Sequence, residues 1–439
     1  MICGIDLGTT YSLIGHGDTI YSGLVASAVD LNTKQQVDID FINPDVIHSY
    51  KVDMTTGDSG KLPIACSSIV LMELANIASR KTGEEIKDVV ISVPAKFTAT
   101  QRKATWLAAE HAGLNPRGLI NEPTAAALYA CKSYKDLIIV YDLGGGTFDV
   151  TILDARTGQY YVVASDGNGK LAGDNLDRAI AQLAMNTCKV KIMNKTKQNL
   201  LKLYNACRHA KENITTYSDK EYIQIPEMEL SFELTRDKYI EVMHRVFQPT
   251  VDLTKQVIAN NLLECDKPKL LFVGGSTADK YLRDWVSSEL GLEEFPQVGD
   301  PSYIVAKGVA MYAEMVETGQ AEVEITDVTT RLSVGLSTGL TETIIEENSA
   351  IPTEDSYIAV NSDTTNTLTI NLYQGEGVTV NDVTYIGTLC YDYGRTVEAG
   401  KGIVDIGVAI NRDGVITLSA TDLARNNTQK IDLHMGDVK

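Results

Sequence analysis

Three consecutive glycines interrupt an otherwise strand-like run at residues 141–153, YDLGGGTFDVTIL, and no other feature constrains the fold of this chain as strongly. Glycine suits a strand interior poorly, because it has no side chain to pack and loses the most backbone freedom on folding. A bare backbone there serves the close approach of something else. A second copy of the pattern, GIDLGTTYS, opens the chain at residues 4–12. Each copy reads as a strand that ends in Asp, turns on Gly and offers Thr hydroxyls and backbone N–H groups. The repeat predicts two similar half-domains that face each other. N–H groups in such a turn form an anion-binding nest, and glycine permits close approach. A carboxylate beside a nest repels phosphate unless a divalent cation lies between them, and Mg²⁺ binds through few carboxylates plus waters and phosphate oxygens. Asp6 and Asp142 therefore read as carboxylates around a metal-water shell. Gly8, Thr9, Thr10 and Tyr11 would line one side of a polyphosphate, and Gly144, Gly145, Gly146 and Thr147 the other. FVGGST (272–277) adds a third glycine turn after a buried strand. The rival reading is a set of tight turns with solvated Asp. The chain has no GxxxxGK[ST] and does not open on GxGxxG, so neither a P-loop nor a dinucleotide fold is indicated.

The rest of the chain narrows the class. A net charge of −19 repels phosphate backbones, so a nucleic-acid partner is not expected. The N-terminus lacks the basic and long apolar regions of a signal peptide, no stretch reads as a transmembrane helix, and no membrane partner is expected. Seven cysteines are scattered singly without zinc spacing, which predicts buried thiols in a reducing, cytoplasmic compartment. The six histidines are likewise isolated.

Up to about residue 320, apolar strand-like runs alternate with helical patterns, as in layered α/β domains. DVVISVP (88–94) is a strand ended by Pro94, and the helix after it is capped by Thr98 or Thr100 and ended by Gly113. PTAAALYACK (123–132) predicts a helix, and a long helical stretch is expected over about 175–215. After about 330 the helices vanish. NTLTINLYQGE (366–376) alternates apolar and polar residues, and 402–422 reads as a hairpin around Asn411–Gly414.

The words GIDLGTTYS, VVISVPAKF, GLINEPTAAAL, YDLGGGTFDV and LLFVGGST, in that order, resemble the heat-shock protein 70, or DnaK-type, chaperones. ENSAIPT, LYQGE and INRDGVITLSATD continue the resemblance past residue 330. It implies an actin-like (ribonuclease H-like) two-lobed ATPase domain over 1–319, with a shortened subdomain IB near 20–62. An interdomain linker over 320–330 and an all-β sandwich substrate domain over 331–439 would follow. It implies ATP/ADP and Mg²⁺ as cofactors, and unfolded or extended polypeptides as clients. A J-domain co-chaperone and a nucleotide exchange factor are implied as possible partners. By position it assigns Asp6, Glu122 and Asp142 to the metal shell, and Thr147 to the second phosphate loop. Asp149 falls beside the attacking water, Gly173 at the phosphate side, and Gly274, Gly275 and Ser276 at the adenosine side. Lys51 is the candidate for the cation near the γ-phosphate, and a plain surface lysine is its rival reading. Pro94 and Arg102 fall on the family's route between nucleotide and second domain, with Asp327 in the linker.

The departures are as specific. The interval from Asp6 to Glu122 is much shorter than the family's. On the adenine-side helix Lys211 is kept, but Arg208 and Glu212 stand where the family has Glu and then Arg, so that base binding is open and Arg208 is a candidate to stack on it. Glu324 and Thr326 make the linker more polar, which predicts weaker docking. The chain stops without the family's helical lid, which predicts fast peptide exchange. The arch over the peptide channel would fall near Ser337-Thr338 and Asn361-Ser362, polar where apolar residues are expected. Leu336, Leu368 and Ile370 are the candidates for an apolar peptide pocket, with sandwich core as the alternative. Gly118 replaces an Arg used with J-domain partners, whereas Asn121 and Asp327 remain. Three functions stay open: a minimal ATP-driven chaperone, a degenerate nucleotide-binding adaptor with little turnover, and a small-molecule kinase of the same superfamily.

Overall fold

The computed structural model describes residues 1–38, 43, 45–55, 59–95, 97–130, 136–157, 160–169, 171–216, 218–296, 299–319, 325–326, 331–347, 349, 352–375, 377–410 and 416–433. Two sheets organise the first part. In one, Ile2–Asp6 runs antiparallel to Tyr11–His16 and parallel to Asp88–Val93, which is parallel to Asn115–Asn121. In the other, Leu137–Leu143 runs antiparallel to Phe148–Asp154 and parallel to Lys269–Val273. Each sheet thus places a glycine turn between an inner strand and its antiparallel neighbour, the half-domain repeat that the two motifs predict.

Local signals set the helices. Thr98 accepts from the backbone N–H of Gln101, and Gln101 reaches back to Thr98, a reciprocal cap that starts Ala99–His111. Gly113, at φ 76°, ends it, its N–H donating to the Glu110 carbonyl while Leu114 donates to Ala109. The stretch expected as one long helix is two, Gly173–Thr187 and Lys197–Thr216. The break falls in CKVKIMNKT, where Val, Ile, Asn and Thr are weak helix formers and Lys189 sits at φ 52°. Helix Lys61–Thr82 is long and apolar enough, at mean hydropathy 1.5, to cross a membrane by length and composition, contrary to the sequence expectation. Here it packs as a core helix: Val70, Leu71, Leu74 and Ala78 are fully buried against Ile5, Ile14 and Ile91 of the first sheet.

Where the family's wall is expected near 20–62, the described residues form short strands, Val25–Ala26 beside Tyr11–Ser12 and Ala28–Asp30 between Gln35–Gln36 and Val46–His48, and a turn at Tyr50–Asp53. From residue 332 on, two four-stranded sheets pack on a common core that includes Leu332, Leu372, Val404, Val408 and Leu418. Ile403–Ile410 and Ile416–Asp422 pair as the expected hairpin, the turn itself lying outside the described residues. Of the linker, Ile325–Thr326 is described. It pairs in parallel with Tyr160–Tyr161 and extends the second sheet of the first part by one short strand.

Candidate functional site

The two glycine turns meet across a cleft of about 710 Å³. Asp6, Gly8, Thr9, Thr10 and Tyr11 line it from the first sheet, and Asp142, Gly144, Gly145 and Thr147 from the second. The turns interlock. A Cβ at Gly145 would stand 2.2 Å from Thr10 Oγ1, and one at Gly146 would stand 2.6 Å from Thr9 Cγ2. This is what the bare backbone serves in the protein itself: no larger residue fits where the opposing threonines sit. The carbonyl of Gly144 is clamped by the N–H of Gly173 (3.1 Å) and the hydroxyl of Ser276 (2.9 Å). The N-terminus of Gly173–Thr187 and the Gly274–Ser276 turn are thereby fixed against the second turn, and Gly173, Gly274, Gly275 and Ser276 all line the cleft. A helix N-terminus carries free N–H groups and partial positive charge, which suit an anion.

The floor is acidic. The Ser92 hydroxyl donates to Asp6 Oδ1 at 2.7 Å. Burial, and then the Glu122 charge, push the Asp6 carboxyl up to about 6. Asp142 is held well above its ordinary range by burial and by Glu122, Asp149 and Asp6, with Lys51 opposing. Lys51 is 4% exposed, lines the cleft and is ion-paired to Glu122. Its ammonium also lies 5.7 Å from the centre of the Phe97 ring. Four carboxylates therefore share this region with one opposing ammonium, and burial together with that excess negative charge raises the Asp6 and Asp142 carboxyls. Among the described residues no three His, Cys, Asp or Glu side chains come close enough to chelate an ion directly. The donor set fits a hydrated cation held through its waters by separated carboxylates.

At the other end of the cleft, Arg208 crosses to Tyr11: its Nη2 donates to the Tyr11 hydroxyl at 3.0 Å, and Nε to Glu212 at 3.1 Å. The i, i+4 pair expected from the exchanged residues is formed. Lys211 is ion-paired to Asp177 at 2.7 Å. His48 sits near Asp174, Arg178 and Arg208, and burial holds its pKa below the ordinary value. Gly146 and Asp149 are not among the residues facing the cleft. Asp149 is the direct cross-strand partner of Asp142 and acts on it by charge.

The remaining sequence candidates lie elsewhere. Arg102 donates to the carbonyls of Phe97 (3.1 Å) and Ala95 (3.2 Å) and to Asn121 Oδ1 (2.6 Å), tying the turn after Pro94 to the residue beside Glu122. Asp327 lies outside the described residues. Leu336 and Leu368 are half-buried, while Ile370 is 3% exposed within the sandwich core rather than on an open pocket wall. Asn361 is not an open arch residue. It is 2% exposed, donates to the carbonyls of Asp363 (2.8 Å) and Glu398 (2.9 Å), and accepts from Gly402 N–H (2.7 Å).

Several residues that line or support the cleft carry no sequence signal. Ser92 is one polar residue in an apolar strand. Tyr239 and Asp279, hydrogen-bonded at 2.5 Å, line the cleft from segments 40 residues apart. Asp177 sits one helical turn beyond Gly173, and only the fold brings Lys211 to it.

A two-lobed α/β unit with glycine turns facing each other over an acidic cleft, joined to a β-sandwich, is the architecture of an actin-like nucleotide-binding protein carrying a second, all-β domain. The family profile described as Hsp70 protein matches residues 32–438. The chain belongs to the Hsp70 family, which carries an actin-like ATPase, a β-sandwich and a chaperone-type ATP-binding function.

Proposed function

We propose that this chain binds Mg-ATP in the cleft, hydrolyses it to ADP and phosphate, and couples that cycle to extended peptide segments held by the β-sandwich. The observation that carries the reading is the pair of interlocked turns over a carboxylate floor that holds one buried ammonium, Lys51. Phosphoryl transfer asks for positioning and charge neutralisation rather than covalent chemistry. Lys51, held by Glu122, presents fixed positive charge to the transferred group. Thr147 offers a hydroxyl and the turn N–H groups to the phosphate oxygens. Asp142, acted on across the strand pair by the charge of Asp149, orients water. Bound at Asp6 and Asp142, Mg²⁺ would neutralise charge on the phosphate oxygens. Gly274, Gly275, Ser276 and Lys211 would receive the nucleoside.

Leu336 and Leu368, both half-buried, offer apolar contact to a client. The strand at Ile325–Thr326 supports coupling between the parts. A J-domain protein and a nucleotide exchange factor are the co-chaperones of this reading. The cytoplasm is its setting, which the free thiols of the described cysteines support. Steady-state ATPase measurement on wild type and Thr147→Ala tests it. Turnover in wild type that falls in the variant supports hydrolysis. Mg-dependent binding without turnover supports the second reading, an adaptor, which Arg208 lying across the cleft favours. ADP formation that requires an added sugar would point to a kinase.

A further inference from the structure

Between Arg178 and Lys211 the chain carries eight lysines and arginines and no Asp or Glu, in a protein of net charge −19. Arg208 and Lys211 of this stretch belong to the cleft, but the middle does not. There the turn between helices Gly173–Thr187 and Lys197–Thr216 raises Ile192 and Met193 into solvent at 87% and 80% exposure, the highest of any large hydrophobic residues described. Lys189 and Lys191 precede the pair, and Lys195 and Lys197 follow it. Lys191 faces Glu229 at 3.8 Å, and Lys202, further on, is held by Glu227 at 2.6 Å. Lys189, Lys195 and Lys197 have no ion pair among the described residues. Two bare apolar side chains at a tip, flanked on both sides by ammonium groups, have no role in the cleft chemistry and none in the core.

We infer that this tip docks on an anionic lipid surface. Ile192 and Met193 would enter the boundary between headgroups and acyl chains. The lysine stems would lie along that boundary with their ammoniums at the phosphate and carboxylate level. The charge pattern selects the occupant. Single-stranded nucleic acid would want aromatic stacking, and the tip has no aromatic residue. A protein groove would satisfy Ile192 and Met193, but it gives no reason for ammoniums on both flanks. The acidity of the whole chain does not oppose the contact at physiological salt, because charges beyond about 8 Å are screened while those on the tip are not.

The test is co-sedimentation of the full chain with phosphatidylcholine vesicles, with and without about a third phosphatidylserine. Two variants are compared, Ile192→Ser/Met193→Ser and Lys189→Gln/Lys195→Gln/Lys197→Gln. Neither touches the cleft, so retained Mg-nucleotide binding reports that each is folded. The expected result is binding to the anionic vesicles alone, weakened by added salt, and lowered about tenfold or more by either variant. Equal binding to both vesicle types, or unchanged binding by the variants, overturns the proposal. So does absent vesicle binding accompanied by tip-dependent capture on an acidic polypeptide, which would assign the surface to a protein partner.

Discussion

Arg208 reaches from the second lobe to Tyr11 of the first, its guanidinium carbon 5.7 Å from the ring centre and its Nη2 3.0 Å from the hydroxyl. One side chain thus joins the two walls of the cleft. Arg208→Ala removes both contacts and Tyr11→Phe only the hydrogen bond. A charged hydrogen bond contributes about 1.5–3 kcal/mol, so bound nucleotide should leave roughly tenfold faster from Arg208→Ala, and less so from Tyr11→Phe. Stopped-flow release of a fluorescent ADP analogue measures it. Equal release rates in all three proteins would show that the bridge does not hold the cleft.

Buried Lys51 pairs with half-buried Glu122 beside three more carboxylates. Removing the ammonium alone leaves an uncompensated charge, a loss of about 3–5 kcal/mol. Lys51→Met should therefore lower both Tm and turnover. Adding Glu122→Gln should recover much of the Tm and none of the turnover. Recovery of turnover would show that Lys51 acts only as a counter-ion.

The acidic floor makes a pH prediction. The Asp6 carboxyl sits at about 6 in the folded protein against an ordinary 3.8. Between those values the native state keeps a proton that the unfolded chain has released. Stability without ligand therefore falls as pH rises from about 4 to about 6, by up to about 3 kcal/mol for this group, and is level above. Asp142 acts in the same direction. Urea unfolding across that window should show the fall in wild type and a flatter profile in Asp6→Asn. Mg-ADP, which favours the ionised floor, should stabilise more at neutral pH than at about pH 5.

Gly145→Ala forces a Cβ onto Thr10. Overpacking of this kind costs about 1–3 kcal/mol. The double variant Gly145→Ala/Thr10→Gly should regain part of the lost Tm, a coupling that a double-mutant cycle reads directly. Additive losses would mean that the turns do not touch in solution.

In the sandwich, Asn361→Ala strands the N–H of Gly402 and the carbonyls of Asp363 and Glu398. The Gly402 N–H, left buried and unpaired, costs about 1–3 kcal/mol. The sandwich should melt early while nucleotide binding by the first part persists.

The glycine turns, the Thr98 cap and the Gly113 stop were legible because each is a local backbone demand written in adjacent residues. The hairpin at 403–422 was legible for the same reason. The partnership of Lys51 with Glu122 was not, since 71 residues separate them and the pairing exists only once both lobes are built. Ser92, Tyr239 and Asp279 share that fate. Asn361 misled in another way. A polar residue in a turn reads as exposed, yet its amide substitutes for backbone partners inside the sandwich and is buried because it is fully engaged.

The short pairing of Ile325–Thr326 with Tyr160–Tyr161 bears on how polar a connector can be. Its bonds run from main chain to main chain, and they do not discriminate between a threonine and a leucine. A joint of so few rungs is also cheap to open. The sheet edge therefore holds the connector through bonds that are indifferent to side-chain identity, and a hydrophilic tether can fasten there as well as an apolar one.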